Sequence, residues 1–252
     1  MTSKPLMFCT PNRGIEYPYV LYNMWYLINR PNEVKRIIDH KPKHVILDVG
    51  VNALFEVEKK KEYPKWFLNK YFMFADKFAG RIKALLPNCK VWVVIPDYPA
   101  DIQDNPLENN VERTIQNWLR FKDKQSKWFE WLPVIQAKTL DMESFVYCIN
   151  EYKRIWKGYD KAGIGTVCKW RDVNVIKNYV RTARRHLPNI WLHAFGPTKP
   201  SLPHIWRYIN SFDSITNVFH VYGSKGGLDV WNRYLQKWSF LDNLGLIKRW
   251  LP

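Results

Sequence analysis

The chain has 252 residues, 46% of them hydrophobic, with 13 Trp, 14 Tyr and 13 Phe, which is enough apolar material for one sizeable core and excludes a disordered chain. Its 39 Lys and Arg against 23 Asp and Glu leave a formal net charge of +16 and a pI near 9.6, a field that gathers polyanions and makes nucleic acid the leading partner class. No apolar run of about 18 residues appears and Met1-Thr2-Ser3-Lys4-Pro5 lacks a secretory apolar region, so a soluble, cytoplasmic protein with no membrane partner is expected.

In chain order, Leu6-Met7-Phe8-Cys9 is a possible first strand, followed by a helix from Glu33 to Ile38. His44-Val45-Ile46-Leu47-Asp48 and Val91-Trp92-Val93-Val94-Ile95 are clear strands, separated by a helix from Lys65 to Leu86. A helix from Asn110 to Phe121 leads to the strand Pro133-Val134-Ile135-Gln136, and one from Met142 to Ile155 leads to the weaker strand Ala162-Gly163-Ile164-Gly165. The helix Val173 to His186 places Val175-Ile176 and Tyr179-Val180 on one buried face, with Lys177, Arg181 and Arg184-Arg185 turned outward. Ile190-Trp191-Leu192-His193, a helix from Leu202 to Ile209 and Ser211-Phe212-Asp213-Ser214 follow, and Val218-Phe219-His220-Val221-Tyr222 is a possible eighth strand.

Short β-branched runs alternating with helical segments indicate an α/β fold with a parallel sheet. Eight strands in this length suit one (β/α)8 TIM barrel spanning residues 1–252 with a basic C-terminal segment; an open doubly wound sheet is the structural alternative. Cys9, Cys89, Cys148 and Cys168 are too dispersed for a zinc cluster or a disulfide framework, so each reads as a small buried hydrophobe, and neither metal nor cofactor is expected.

Several strands end in groups that are costly to bury. Asp48 follows Leu47, Asp97 follows Ile95-Pro96, Gln136 follows Ile135 and Asp213 follows Phe212. At the carboxyl rim of a barrel the four would converge on one pocket. Singly, each has a plainer reading: Asp48 and Asp97 as turn or capping residues, Asp213 as an N-cap, Gln136 as a partner for loop backbone. Two carboxylates on one pocket suit glycosidic-bond exchange, one attacking an anomeric carbon while the other moves a proton. Gly163 and Gly165 admit either a flat ring or tight barrel packing.

Leu47-Asp48-Val49-Gly50, Ile95-Pro96-Asp97-Tyr98-Pro99, Val134-Ile135-Gln136, Gly163-Ile164-Gly165-Thr166-Val167-Cys168, Leu192-His193-Ala194-Phe195-Gly196 and Ser211-Phe212-Asp213-Ser214 occur in an order that resembles the tRNA-guanine transglycosylase superfamily. The likeness runs from about Lys43 to Ser214 and is strongest to the DpdA-type enzymes that insert 7-deazaguanine bases into DNA. It implies Asp213 as the nucleophile on C1′, Asp48 as the base that deprotonates the incoming 7-deazaguanine, and Asp97, Gln136, Gly163 and Gly165 as the base-binding groups. It further implies a flipped-out target nucleotide in DNA or tRNA. No cysteine follows Cys168, so the zinc subdomain of the tRNA enzymes is missing; Val-Gly-Val-Asn stands after Asp48 in place of Ser-Gly-Gly-Phe, and Ala137-Lys138 follow Gln136.

Lys169, Arg171 and Lys199, near strand ends, and Lys225 in the loop Tyr222-Gly223-Ser224-Lys225-Gly226-Gly227 are candidate phosphate contacts, and Trp170 a candidate base stack; the loop reads equally as plain surface. A homodimer is possible. Two other functions stay open: a basic nucleic-acid-binding barrel without catalysis, and a barrel enzyme acting on small phosphorylated or sugar substrates.

Overall fold

The computed structural model describes residues 5–8, 18–57, 62–100, 109–168, 170, 172–198 and 200–213. In chain order these form β1 Leu6–Phe8, β2 Tyr19–Asn23, α1 Met24–Asn29, α2 Val34–Asp39, β3 His44–Asp48, α3 Lys65–Leu85, β4 Lys90–Val94, α4 Asn110–Phe121, β5 Glu130–Leu132 and β6 Val134–Ile135. There follow α5 Met142–Ile155, β7 Lys161–Ile164, α6 Val173–His186, β8 Trp191–Ala194, α7 Leu202–Ile205 and β9 Ser211–Asp213. Local chemistry starts several of these helices. Asn23, Asp141 and Asp172 are N-caps whose side-chain oxygens accept from Tyr26, from Glu143 and Ser144, and from Asn174 backbone N–H groups.

The architecture is α/β, with every strand pairing parallel. The strands form two sheets, β2-β3-β4-β5 and β1-β9-β8-β7-β6, where the sequence suggested one. One of the two breaks between them lies at Pro133. Of the expected strand 133–136 only Val134–Ile135 forms, as β6; β5 at 130–132, which was not expected, precedes it, and between them Pro133 has no N–H to carry a ladder across, so β5 pairs with β4 while β6 pairs with β7. The Pro133 carbonyl still accepts from the Gly163 N–H at 2.8 Å. On the other side β1 and β2 lie next to each other, with the rings of Phe8 and Tyr19 5.6 Å apart.

β2 was not expected from the sequence. Its run Tyr19-Val20-Leu21-Tyr22 continues into the apolar start of α1, with only the capping Asn23 to mark the change of period. The possible strand 218–222 lies outside the described residues.

Alternate residues of each strand share a face, and ring contacts show that the inner faces of the two sheets meet. Phe8 of β1 packs edge-on against His44 of β3 at 5.0 Å and His193 of β8 at 5.5 Å, and Trp92 of β4 against Trp191 of β8 at 5.8 Å. Beside Trp92, at the start of β7, the buried Lys161 pairs with Glu130 at 3.2 Å and with Asp160. Aromatic and ionic packing therefore fills the space between the sheets, with His44, Lys161 and Trp191 at the amino ends of their strands.

On α6, Ile176, Tyr179, Val180 and Ala183 are buried as the period requires. Arg184 departs from its expected outward position. Its guanidinium donates to the carbonyls of Tyr208 (2.9 Å), Leu187 (3.1 Å), Pro188 (2.9 Å) and Ile190 (2.9 Å) and to Asn210 Oδ1 (2.7 Å). The side chain ties the end of α6 to the entries of β8 and β9, and burial lowers its pKa. Arg184→Ala is expected to destabilise the protein by about 3 kcal/mol in urea unfolding, because several carbonyls lose a charged donor at once.

Candidate active site

Asp48 and Asp213 are the last residues of β3 and β9. The parallel registers place Asp213 level with Phe8 of β1 and Asp48 level with Asn23 of β2, so the neighbouring strands β1 and β2 lie between them. Both residues are partly accessible as a whole. Burial of its carboxylate, followed by the negative charge of Asp213, pushes the pKa of Asp48 from 3.8 up to about 7, against the lowering effect of the Gly50 and Val49 N–H groups.

Asp48 also performs the turn role its sequence context allowed, accepting from the Gly50 N–H at 3.1 Å. Gly50 has φ +96°, and a Cβ there would stand 2.1 Å from Asn23 Oδ1, the atom that caps α1. Only glycine fits this corner.

Among the described residues, Asp213 is held through one oxygen. Its Oδ1 accepts from the Gly196 N–H at 3.1 Å and lies 3.2 Å from His193 Nε2. On the far side of the imidazole, Nδ1 is 2.9 Å from Ser211 Oγ, which in turn accepts from the Trp191 indole at 2.9 Å. In the sequence, His193 and Gly196 stand only within the segment Leu192 to Gly196, with no role of their own. The signal available was a histidine two residues after the start of a buried strand.

A second cluster lies around Asp97 and Gln136, both buried. Gln136 Nε2 donates to Asp97 Oδ2 at 2.5 Å, and the Thr166 hydroxyl stands 3.3 Å from Gln136 Oε1 and accepts from the Ala137 N–H at 2.8 Å. The loop carrying Asp97 is clamped by a buried polar stripe on α4: Asn110 donates to the Tyr98 carbonyl, Thr114 accepts from the Tyr98 N–H, and Asn117 donates to the Pro96 carbonyl at 2.7 Å. Tyr63 donates to the Asp97 carbonyl at 2.8 Å. Asp97 and Asp48 both act on Tyr63 and Tyr71; burial first, then these charges, raise the pKa values of the two phenols well above the ordinary range. The two acidic centres follow adjacent strands, Leu47 of β3 being the register partner of Val93 of β4.

Gly163 and Gly165 are covered by the chain's own side chains. A Cβ on Gly163 would meet the Phe195 ring at 2.5 Å, and one on Gly165 would meet Gln136 Nε2 at 2.1 Å. Their small size serves close packing, the plainer of the two sequence readings.

Lys169, Arg171, Lys199 and Lys225 lie outside the described residues, as does the loop 222–227. Trp170 packs partly buried against the core rather than standing free. Of the cysteines, Cys89 and Cys148 are buried, Cys168 is only partly so, and Cys9 is outside the described residues. Among the described residues no helix is long and apolar enough to cross a membrane.

No protein-family model matches the chain, and neither does any curated protein. Among solved structures it is similar to that of CpGH84B, at 9% identity and a TM-score of 0.38, over 84% of this chain and 44% of that one. It is similar also to the carboxyl transferase domain of Rhizobium etli pyruvate carboxylase with pyruvate, at 8% identity and a TM-score of 0.38, over 93% of this chain and 47% of that one. The chain thus spans less than half the length of either, and neither likeness bears on what the site does.

Chemically, the strand ends place a carboxyl that titrates near neutrality within the field of a second, anchored carboxylate. Such a pair can divide nucleophilic attack and proton transfer between its members.

Proposed function

We propose that this protein exchanges guanine for a 7-deazaguanine base in a polynucleotide, DNA in preference to tRNA, by double displacement at Asp213. The observation that carries the reading is the placement of Asp48 and Asp213 at the carboxyl ends of β3 and β9, across the adjoining β2 and β1, close enough for the charge of Asp213 to help raise the pKa of Asp48. In the first half-reaction an Asp213 oxygen bonds to C1′ of the flipped nucleotide as the C1′–N9 bond breaks. The bonding pair leaves with guanine, and protonated Asp48 supplies it with a proton. In the second half-reaction, ionised Asp48 takes the N9 proton of the 7-deazaguanine, N9 attacks C1′, and the bond to Asp213 breaks to restore the carboxylate.

The substrate class rests on the net charge of +16 and on the family resemblance. Lys169, Arg171, Lys199 and Lys225 would contact phosphates, and Asp97 with Gln136 would read the base edge. For a base to reach Asp97 and Gly163, Gln136 and Phe195 must swing aside, a rearrangement driven by binding energy. We read the two sheets as arcs of a single (β/α)8 barrel, joined where β5 passes into β6 through Pro133 and where β1 stands beside β2; the site is then its carboxyl rim. A cytoplasmic setting goes with this reading.

Incubating the protein with a guanine-containing DNA oligonucleotide or with tRNA, without an incoming base, is expected to trap a covalent adduct that peptide mapping assigns to Asp213. An adduct with tRNA alone would reverse the substrate preference. Salt-dependent binding with no adduct to either polymer would leave a non-catalytic nucleic-acid-binding protein.

A further inference from the structure

We infer that His193 is a positioning residue which, locked in one tautomer by Ser211 and Trp191, presents Asp213 for attack; the catalytic part of this inference rests on the nucleophile role proposed above. Trp191 and His193 share one face of β8, Ser211 and Asp213 share one face of β9, and His193 is the register partner of Ser211. Two adjacent strands thereby assemble four side chains in a line.

The direction of each hydrogen bond follows from its donors. An indole N–H only donates, so Ser211 Oγ accepts from Trp191 at 2.9 Å. Ser211 is fully buried, and its own hydrogen has His193 Nδ1, 2.9 Å away, as its acceptor. With Nδ1 accepting, the ring proton of the neutral imidazole sits on Nε2 and points at Asp213 Oδ1, 3.2 Å away. The other tautomer would leave the serine hydrogen without an acceptor and aim a nitrogen lone pair at a carboxylate oxygen. A doubly protonated ring would strand the serine hydrogen as well.

The imidazole is also wedged sterically, with Phe8 edge-on at 5.5 Å and Phe195 at 4.5 Å. Because the Gly196 N–H shares Oδ1 with His193, the rotation of the carboxylate is set by two donors on one oxygen, and its other oxygen is turned away from them. Serine, histidine and aspartate in contact are also the parts of a hydrolytic triad. Here, however, the serine is enclosed with its hydroxyl engaged as donor and acceptor, so the group the chain presents is the aspartate.

The test combines nitrogen NMR of the histidine rings with kinetics on the full chain. At mildly alkaline pH the His193 signals, assigned by their loss in His193→Gln, are expected to show Nδ1 unprotonated and Nε2 protonated, and Ser211→Ala to abolish that preference. His193→Phe is expected to lower kcat for base exchange by about 10- to 100-fold with KM for the oligonucleotide within about twofold, the pattern of a lost orienting contact. His193→Gln, whose amide N–H falls near the position of Nε2–H, recovers most of the rate. A protonated Nδ1 in the wild type, an unchanged kcat in His193→Phe, or no recovery in His193→Gln would overturn the inference. The wild-type spectrum decides the tautomer even if His193→Phe fails to fold. A wild type with the assigned tautomer but no base exchange would support the hydrogen-bond chain while overturning the reaction proposed for it.

Discussion

Asp213→Asn is expected to abolish adduct formation and to lower guanine exchange by about 10^4-fold or more, the scale of removing a nucleophile from a covalent mechanism. The substitution is nearly isosteric. An asparagine carbonyl oxygen can still accept from the Gly196 N–H and from His193, so the fold should survive and unfolding should shift little. One physical consequence reaches beyond the reaction: the charge of Asp213 is the second cause of the raised pKa of Asp48, after burial. In Asp213→Asn the Asp48 midpoint should therefore fall from about 7 toward its ordinary 3.8 without reaching it, because burial remains. Carbon NMR of the aspartate carboxyls across pH reads this directly. Exchange activity unaffected by the substitution would remove Asp213 from the mechanism, and an unmoved Asp48 midpoint would show that the two carboxylates do not communicate.

Asp48→Asn should separate activity from stability. With a folded pKa of about 7 against 3.8 ordinarily, the folded protein retains a proton that the unfolded chain has lost throughout the interval between them. Unfolding then takes place with proton release at this group, so the contribution of Asp48 to stability is fully present below about pH 4 and is lost as pH rises through about 7; the full gap corresponds to roughly 4 kcal/mol. Asn has no such titration and can still accept from the Gly50 N–H. Urea unfolding at about pH 5 and about pH 8 should show the variant gaining on the wild type by roughly 3 kcal/mol between the two conditions. Base exchange should meanwhile drop by about 10^2- to 10^4-fold, since the proton carrier is gone. A stability difference that stays flat with pH would mean that Asp48 is ionised at neutrality, and the acid–base assignment would fall.

The raised pKa of Asp48 means that stability is given up at the end of β3 as pH rises. A carboxyl at the end of a buried strand, beside a second carboxyl, is an unfavourable way to end β3, and an asparagine would serve the turn at Gly50 as well. A carboxyl there suits the proposed reaction, which calls for a group that exchanges protons near neutral pH.

Much of this was legible in the sequence for a local reason. The alternation of β-branched runs with amphipathic helices depends on periods of two and 3.6 residues, which need no knowledge of neighbours. Hence β3, β4, β7, β8 and β9, the long helices and the polar strand ends at Asp48, Asp97 and Asp213 were all anticipated close to their observed places. β2 was not, because Tyr19 to Leu27 is apolar through a change from strand to helix that only Asn23 marks. Tertiary structure decided the rest, since partners are chosen by strand register and by which strands lie side by side. Register set His193 against Ser211 and so built the chain from Trp191 to Asp213; packing laid Phe195 and Gln136 over Gly163 and Gly165; and the missing N–H of Pro133 interrupts the ladder between β5 and β6. Arg184 makes the same point: its spacing allowed an outward position, but the unpaired carbonyls around the end of α6 drew it in. The sequence by itself determined which residues could do chemistry at the strand ends; only the fold determined which of them face one another, because that depends on groups far apart in the chain being brought within hydrogen-bond reach.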